Sequence, residues 1–258
     1  MSNVILAGRL DVAELVFYLF VLFFIGLVFY LRREDRREGY PLEDSITGRI
    51  DSALGPFSSS SVKSFRLPFD RGIATTPTQG REPVEVAGAR RFGRFGGAPY
   101  VPTGNPLTDG VGPAAYAQRS NWADVDMEGR PRIVPMSTDL DYSIATRDPD
   151  PRGMAVVAAD GKIVGPVTDI WIDRSDRLIR YLEVDLAGTR SVLVPLNFAK
   201  INGKRRTVSV DQLAAAHYAD APHPAAPGTI TRLEEERIQA YFGGGSLYGL
   251  PGRAEPLI

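Results

Sequence analysis

The sequence predicts one transmembrane α-helix at the N terminus, an extended Pro/Gly-rich segment, and a mainly-β soluble domain, a small antiparallel barrel, that ends in a helix. Three observations predict this. Residues 12–31 (VAELVFYLFVLFFIGLVFYL) form a 20-residue apolar run with a single charge, Glu14. Beyond residue 150, short apolar runs alternate with turn dipeptides such as Asp160-Gly161 and Asn202-Gly203. Near the C terminus, Thr231 followed three residues later by Glu234 marks the start of a helix.

The apolar run comes first. At ~1.5 Å of rise per residue it spans ~30 Å, the hydrocarbon thickness of a bilayer. Asp11 suits the N-cap, and Glu14 lies in the first turn, where the helix dipole favours a carboxylate. Arg9 is the one basic residue before the run, whereas Arg32, Arg33, Arg36 and Arg37 follow it at once. The positive-inside rule therefore places the C-terminal side in the cytoplasm. The barely basic start, the length of the run and the lack of an A-x-A site argue against a cleaved signal peptide. Tyr18 and Tyr30 lie toward the two ends of the run, as interfacial aromatics do. The Arg cluster at 32–37 is a candidate site for anionic lipid headgroups.

From residue 40 to 113 the chain is rich in Pro, Gly and Ser, as in GPFSSSS (55–61) and RRFGRFGGAPYVPTGNP (90–106). Such a stretch buries little of its own surface. It nevertheless carries Phe57, Phe65, Leu67, Phe69, Phe92, Phe95 and Tyr100. That many apolar side chains suit an arm docked on a partner better than a free linker.

The β region reads next. MAVVAADGKIVGPVTDIWID (154–173) brackets Asp160-Gly161, a hairpin dipeptide. LIRYLEVDL (178–186) alternates apolar with polar, and SVLVPL (191–196) and RTVSV (206–210) follow. Short strands with regular turns suit a small antiparallel barrel. In the closing helix, Gly243 to Gly245 are the expected stop, and LEEER (233–237) reads as a solvated face. The expected boundaries are 1–11 before the membrane on its periplasmic side, 12–31 in it, 32–113 as the juxtamembrane and extended segment, and 114–258 as the globular domain.

Several function classes are excluded or weakened. A net charge of −1 and a pI near 6.2 give no electrostatic footprint for nucleic acid. RRFGRFGG lacks the Gly-Lys-Ser/Thr of a phosphate loop. There is no G-x-S-x-G and no cysteine. The chain is thus expected not to be an enzyme. His217 and His223 both lie in AAAHYADAPHP and read as exposed loop or helix-end residues.

Several segments, in order, resemble one family. YLRREDRREGYPLE (30–43) directly after a single anchor resembles the H subunit of the purple-bacterial photosynthetic reaction centre, a member of the PRC-barrel family. PTGNPLTDGVGPAAYAQR (102–119), RIVPM (132–136), DPRGMAVVAADG (150–161), VTDIWIDRSD (167–176), RYLEVDL (180–186) and LEEERIQAYFGGGSLY (233–248) continue the match; residues 45–96 match least. The resemblance implies a barrel of the PRC type and a subunit that binds no pigment itself. It implies capping of the cytoplasmic face of the L and M subunits, which carry bacteriochlorophyll, bacteriopheophytin, quinones, non-haem iron and a carotenoid. An antenna ring and a cytochrome subunit are further candidate partners, and the bacterial inner or chromatophore membrane is the implied location. The alternative is a membrane-tethered PRC-barrel adaptor outside photosynthesis, which leaves 30–43 and 102–119 unexplained.

A buried quinone reduced twice needs two protons, and titratable side chains must carry them inward. Carboxylates suit this where burial or like charges raise their pKa, and clustered acids titrate together. Carried over by position, the resemblance implies uptake at Asp126 and Asp173, a carboxylate near the secondary quinone at Asp176, and an inner ion pair of Arg180 with Glu183. Glu128 and Arg130 stand where some relatives have two surface histidines. The uptake point here therefore relies more on carboxylates, Glu128 included, and binds transition metals less well.

Overall fold

The computed structural model describes residues 5–6, 10–37, 44, 46–47, 49, 61–76 and 87–253. Arg9, Phe57, residues 38–43 of the YLRREDRREGYPLE motif and most of 40–60 lie outside the described residues. The chain divides into two compact units: residues 1–85 with 93–98, and residues 86–92 with 99–258.

In the first unit, a short pair of Ile5–Leu6 (β1) and Leu10–Asp11 (β2) leads into α1, Val12–Glu34. Asp11 caps the helix by accepting from the Ala13 N–H at 3.3 Å, and Glu14 accepts from the Tyr18 hydroxyl at 2.9 Å. No residue of α1 is buried by the rest of the chain. A helix apolar on every side needs lipid or another protein around it. The expected span of 12–31 thus extends by three polar residues, and a 3-10 turn, Asp35–Arg37, ends it. There Arg37 pairs with Glu34 at 2.8 Å and donates to the Ser61 carbonyl, and Lys63 lies 3.4 Å from Glu34. The arm then forms a hairpin, Ser64–Arg66 (β3) with Ile73–Thr75 (β4), which leaves Phe65, Phe69 and Ile73 exposed.

The second unit opens with a hairpin of Ala89–Arg91 (β5) and Tyr100–Pro102 (β6). A short helix, Pro106–Asp109 (α2), follows, capped by the Asn105 side chain on the Leu107 N–H. Leu107, and Ala114 just beyond the arm, join the core of this unit, whereas Pro99, Tyr100 and residues 103–105 stay exposed.

The sheet comprises Ile133–Pro135 (β7), Ala155–Ala158 (β8), Ile163–Asp173 (β9), Leu178–Asp185 (β10), Ser191–Pro195 (β11), Ala199–Asn202 (β12) and Thr207–Val210 (β13). Its order is β11-β10-β9-β8-β13-β12, with β7 also on β9. The Asp160-Gly161 hairpin forms as the sequence predicts, with Gly161 at φ +76°. The long β9 serves two neighbourhoods: its first half pairs with β8 and its second with β10 and β7. Gly165 lies at the bend, where a Cβ would come within 1.8 Å of the Asp185 carbonyl oxygen.

Two features differ from the expected antiparallel barrel. β13 pairs with β8 in parallel, and the sheet is not closed, since β11 and β12 end the path. Pro195 supplies no N–H to the ladder, and the 3-10 turn Leu196–Phe198 re-aims the chain so that β12 pairs only with β13. Inside, Ile170, Leu182, Val184, Val192, Val208 and Val210 are fully buried, and Ile238, Tyr241 and Phe242 of the last helix, Arg232–Tyr248 (α3), join them in the core.

The capping box of Thr231 and Glu234 is present, but the helix does not stop at Gly243 to Gly245. These glycines are a packing seam. A Cβ on Gly244 would meet the Ala114 Cβ at 2.6 Å, and one on Gly245 would meet the Gln212 carbonyl oxygen at 2.7 Å. The helix tolerates the glycines because their bare backbone lets neighbouring chain come close.

Candidate functional site: an acid–arginine cluster

The site begins with a small hairpin, residues 124–132. Its rungs are the Asp126 N–H to the Arg130 carbonyl (2.9 Å) and the Arg132 N–H to the Asp124 carbonyl (2.9 Å), and Gly129 turns it at φ +82°. This arrangement separates two groups of charge. Asp126, Glu128 and Arg130 occupy the tip, while Asp124 and Arg132 occupy the base.

At the tip, the Asp126 carboxylate accepts the N–H groups of Glu128 and Arg130, and the Arg130 guanidinium bridges Asp126 (2.8 Å) and Glu128 (3.2 Å). Burial works upward on Asp126, but the Arg130 backbone and guanidinium outweigh it and hold the carboxyl below its usual range. The tip lines an open cavity of ≈ 660 Å³ with Asp139, Tyr142 and Arg174. Among the described residues, no group of three or more His, Cys, Asp or Glu is gathered as a metal site.

At the base, Arg132 reaches Asp124 (3.2 Å), Asp173 (2.8 Å) and Asp176 (3.0 Å), and Arg180 reaches Asp173 (3.2 Å) and Asp176 (3.5 Å). Asp173 ends β9, and its carboxylate also accepts the N–H groups of Ser175 and Asp176, which shapes the turn into β10. Only 1% of its side chain is exposed. Burial alone would raise its pKa; the Asp176 N–H and the Arg180 and Arg132 guanidinium groups outweigh that and lower it. Asp173 is therefore a fixed anion at neutral pH, and the half-exposed Asp176 is its partner at the surface.

The structure brings Asp173, Asp176 and Arg180 together, but not Glu183. Arg180 sits at the irregularity of the β9–β10 ladder between Ile179 and Tyr181, which aims it at Asp173 and Asp176 rather than along the strand to Glu183. Glu183 instead accepts from the Trp171 indole N–H at 2.9 Å. The expected Arg180–Glu183 ion pair is corrected on this ground: Arg180 pairs with Asp173 and Asp176. His217 and His223 lie outside the cluster. The His217 carbonyl accepts from the Tyr241 hydroxyl, and His223 meets Arg190 at 3.1 Å.

Behind the base, an open polar cavity of ≈ 320 Å³ is lined by Asp124, Arg180, Tyr181 and the α3 residues Glu235 and Gln239, among others. Burial, with smaller contributions from Asp124 and Asp173, pushes the Glu235 carboxyl up to about 7, while Arg180 opposes the rise. Sequence reading placed Glu235 on a solvated face and gave no role to Arg132. One signal for Glu235 was present: 235, 238 and 242 follow i, i+3, i+7, extending the buried stripe of α3.

Residues 4–138, just over half of the chain, match the family described as the photosynthetic reaction centre H chain, N-terminal region. The chain belongs to this H-chain family. Residues 145–216 match the PRC-barrel domain, which covers β8 to β13 and so includes Asp173, Asp176 and Arg180. The H-chain match contains α1 and the 124–132 hairpin. Membership makes this H chain a partner of other reaction-centre subunits and, by family, a non-enzymatic one. An anchored, single-pass chain fits α1, the one helix among the described residues long and apolar enough to cross a membrane.

Proposed function

We propose that this H chain caps the cytoplasmic face of the L and M subunits of a purple-bacterial reaction centre, stabilises their quinone sites and conducts protons toward the secondary quinone. The observation that carries the reading is that one hairpin, residues 124–132, holds two groups of charge: an exposed tip of Asp126, Glu128 and Arg130, and a base where Arg132 meets Asp173 and Asp176 beside Arg180. Fixed anions at Asp126 and Asp173 keep a negative potential at both groups. That potential draws protons from solvent and stabilises them on neighbouring groups.

On this reading the pigments, the quinones and the non-haem iron belong to the partner subunits. The N terminus is periplasmic, the barrel is cytoplasmic, and the juxtamembrane cluster of Arg32, Arg33, Arg36 and Arg37 faces anionic headgroups. Arg37 also pairs with Glu34. The exposed Phe65, Phe69 and Ile73 of the arm supply an apolar surface for docking.

The test is flash-induced electron transfer in the pigmented complex that contains this chain. Asp176→Asn is expected to slow the second electron transfer to the secondary quinone, which is coupled to protonation, and to leave primary charge separation unchanged. Unchanged quinone kinetics from pH 6 to 9 would remove the proton-conducting part of the proposal. A colourless complex would remove the photosynthetic one.

A further inference from the structure

Glu235 differs from every other carboxylate around it. Asp124 and Asp173 each meet the Arg132 guanidinium, and Asp176 meets both Arg132 and Arg180. Glu236, its neighbour on α3, pairs with Arg119 at 2.8 Å. Glu235 has no ion pair among the described residues. Its hydrogen-bonding neighbour is neutral, the buried Tyr181 hydroxyl, which faces it together with Gln239, one turn further along α3; Arg180, Arg232 and the Glu236-paired Arg119 line the same cavity without forming an ion pair to it. It is half-buried at the wall of a cavity open to solvent. A carboxyl without a direct cation, near the anions of Asp124 and Asp173, gains by taking up a proton. Arg180 and Arg132 act at longer range in the opposite sense, so the proton is also released.

We propose that Glu235 is the proton-holding carboxyl of the cluster, where a proton taken from the solvent-filled cavity waits behind Asp173 and Asp176. The division of labour follows from geometry. Asp126 and Asp173 are clamped by guanidinium and backbone donors and hold the field constant. Glu235, left without a clamp, changes protonation. Burial sets its midpoint at about 7, where exchange with a neutral cytoplasm is closest to balance. The inference rests on the proton-conducting reading above for its physiological use, but the occupancy of Glu235 does not depend on that reading.

The experiment is infrared titration of protonated carboxyl groups in the intact complex between pH 5 and 9, paired with flash-induced proton uptake. Wild type is expected to lose one protonated carboxyl through about pH 7, and Glu235→Gln to lack that transition. Glu235→Asp, which restores a carboxyl, should recover a transition in the same region. Arg180→Met should move the wild-type transition to higher pH, because the cation that opposes protonation of Glu235 is removed. Proton uptake at pH 7 to 8 should fall in Glu235→Gln. A transition that survives in Glu235→Gln, or unchanged uptake, overturns the proposal. Loss of quinone-linked effects in Asp176→Asn with the infrared transition intact would instead count against the proton-conducting reading.

Discussion

Replacing Asp173 and Asp176 separately by Asn should give very different results, although the sequence presents them as near-equivalent acids three residues apart. At Asp173, Asn can keep one oxygen toward the Ser175 and Asp176 N–H groups. Its amide NH2 must then face the two guanidinium donors of Arg132 and Arg180, now 2.8 and 3.2 Å from the second carboxylate oxygen. Two charge-assisted hydrogen bonds are lost, each worth about 1.5–3 kcal/mol. Both arginines keep Asp176 and part of their hydration, which places the net loss near the lower limit, about 3 kcal/mol. Asp176 is 49% exposed, so Asp176→Asn should cost about 0.5–1 kcal/mol. Urea unfolding of the full-length chain in detergent, followed by circular dichroism at pH 7, measures both. The folded-state pKa of Asp173 is lowered, so its contribution is complete above the ordinary value of 3.8 and disappears as pH falls through the folded value. The gap between wild type and Asp173→Asn should therefore close in acid. Equal losses in the two variants, or a gap that persists in acid, would refute the clamp.

The remaining predictions follow from single contacts. Gly245→Ala places a methyl within 2.7 Å of the Gln212 carbonyl and should destabilise the chain by about 2 kcal/mol or more in a thermal melt. Glu235 has a folded-state value of about 7, above its ordinary 4.5, so its ionisation disfavours the fold increasingly between those two pH values. Glu235→Gln should then match wild type in acid and exceed it by about 1 kcal/mol above pH 7, after discounting for solvent screening, as read from urea midpoints. Phe65→Ser combined with Ile73→Ser should leave the fold of the chain unchanged, because both side chains are exposed, and reduce its recovery with the other reaction-centre subunits in mild detergent.

Elements with a local signature could be read from the sequence. The apolar run gives α1, Asp160-Gly161 gives the β8–β9 hairpin, and Thr231 with Glu234 gives the start of α3. What could not be read depends on distant chain. The glycines of α3 look like a stop until Ala114 and Gln212 are seen against them. The parallel β8–β13 pair has no sequence sign, because strand direction is set by the path of the chain around the sheet. The site divides the same way. Asp173, Asp176 and Arg180 lie within one short stretch and were identified together. Arg132 and Glu235 come from remote segments, and their charge was indistinguishable from ordinary surface charge until folding placed them beside Asp173 and Tyr181. Glu183 was joined to Arg180 only by the resemblance, and no local signal in LIRYLEVDL shows that its carboxylate accepts from the Trp171 indole instead.

The parallel pair also governs when this domain can exist at all. β8 and β13 lie about fifty residues apart in sequence, and β12 is held only through β13, so two of the seven strands depend on a late, long-range encounter. As the polypeptide emerges from the ribosome, α1 is available to the lipid bilayer long before β13 has been synthesised. Until then β8 has one unfilled edge, a strand exposed to chance pairing with other chains. Insertion of the anchor before the sheet is complete would confine that vulnerable interval to a chain already tethered at a membrane.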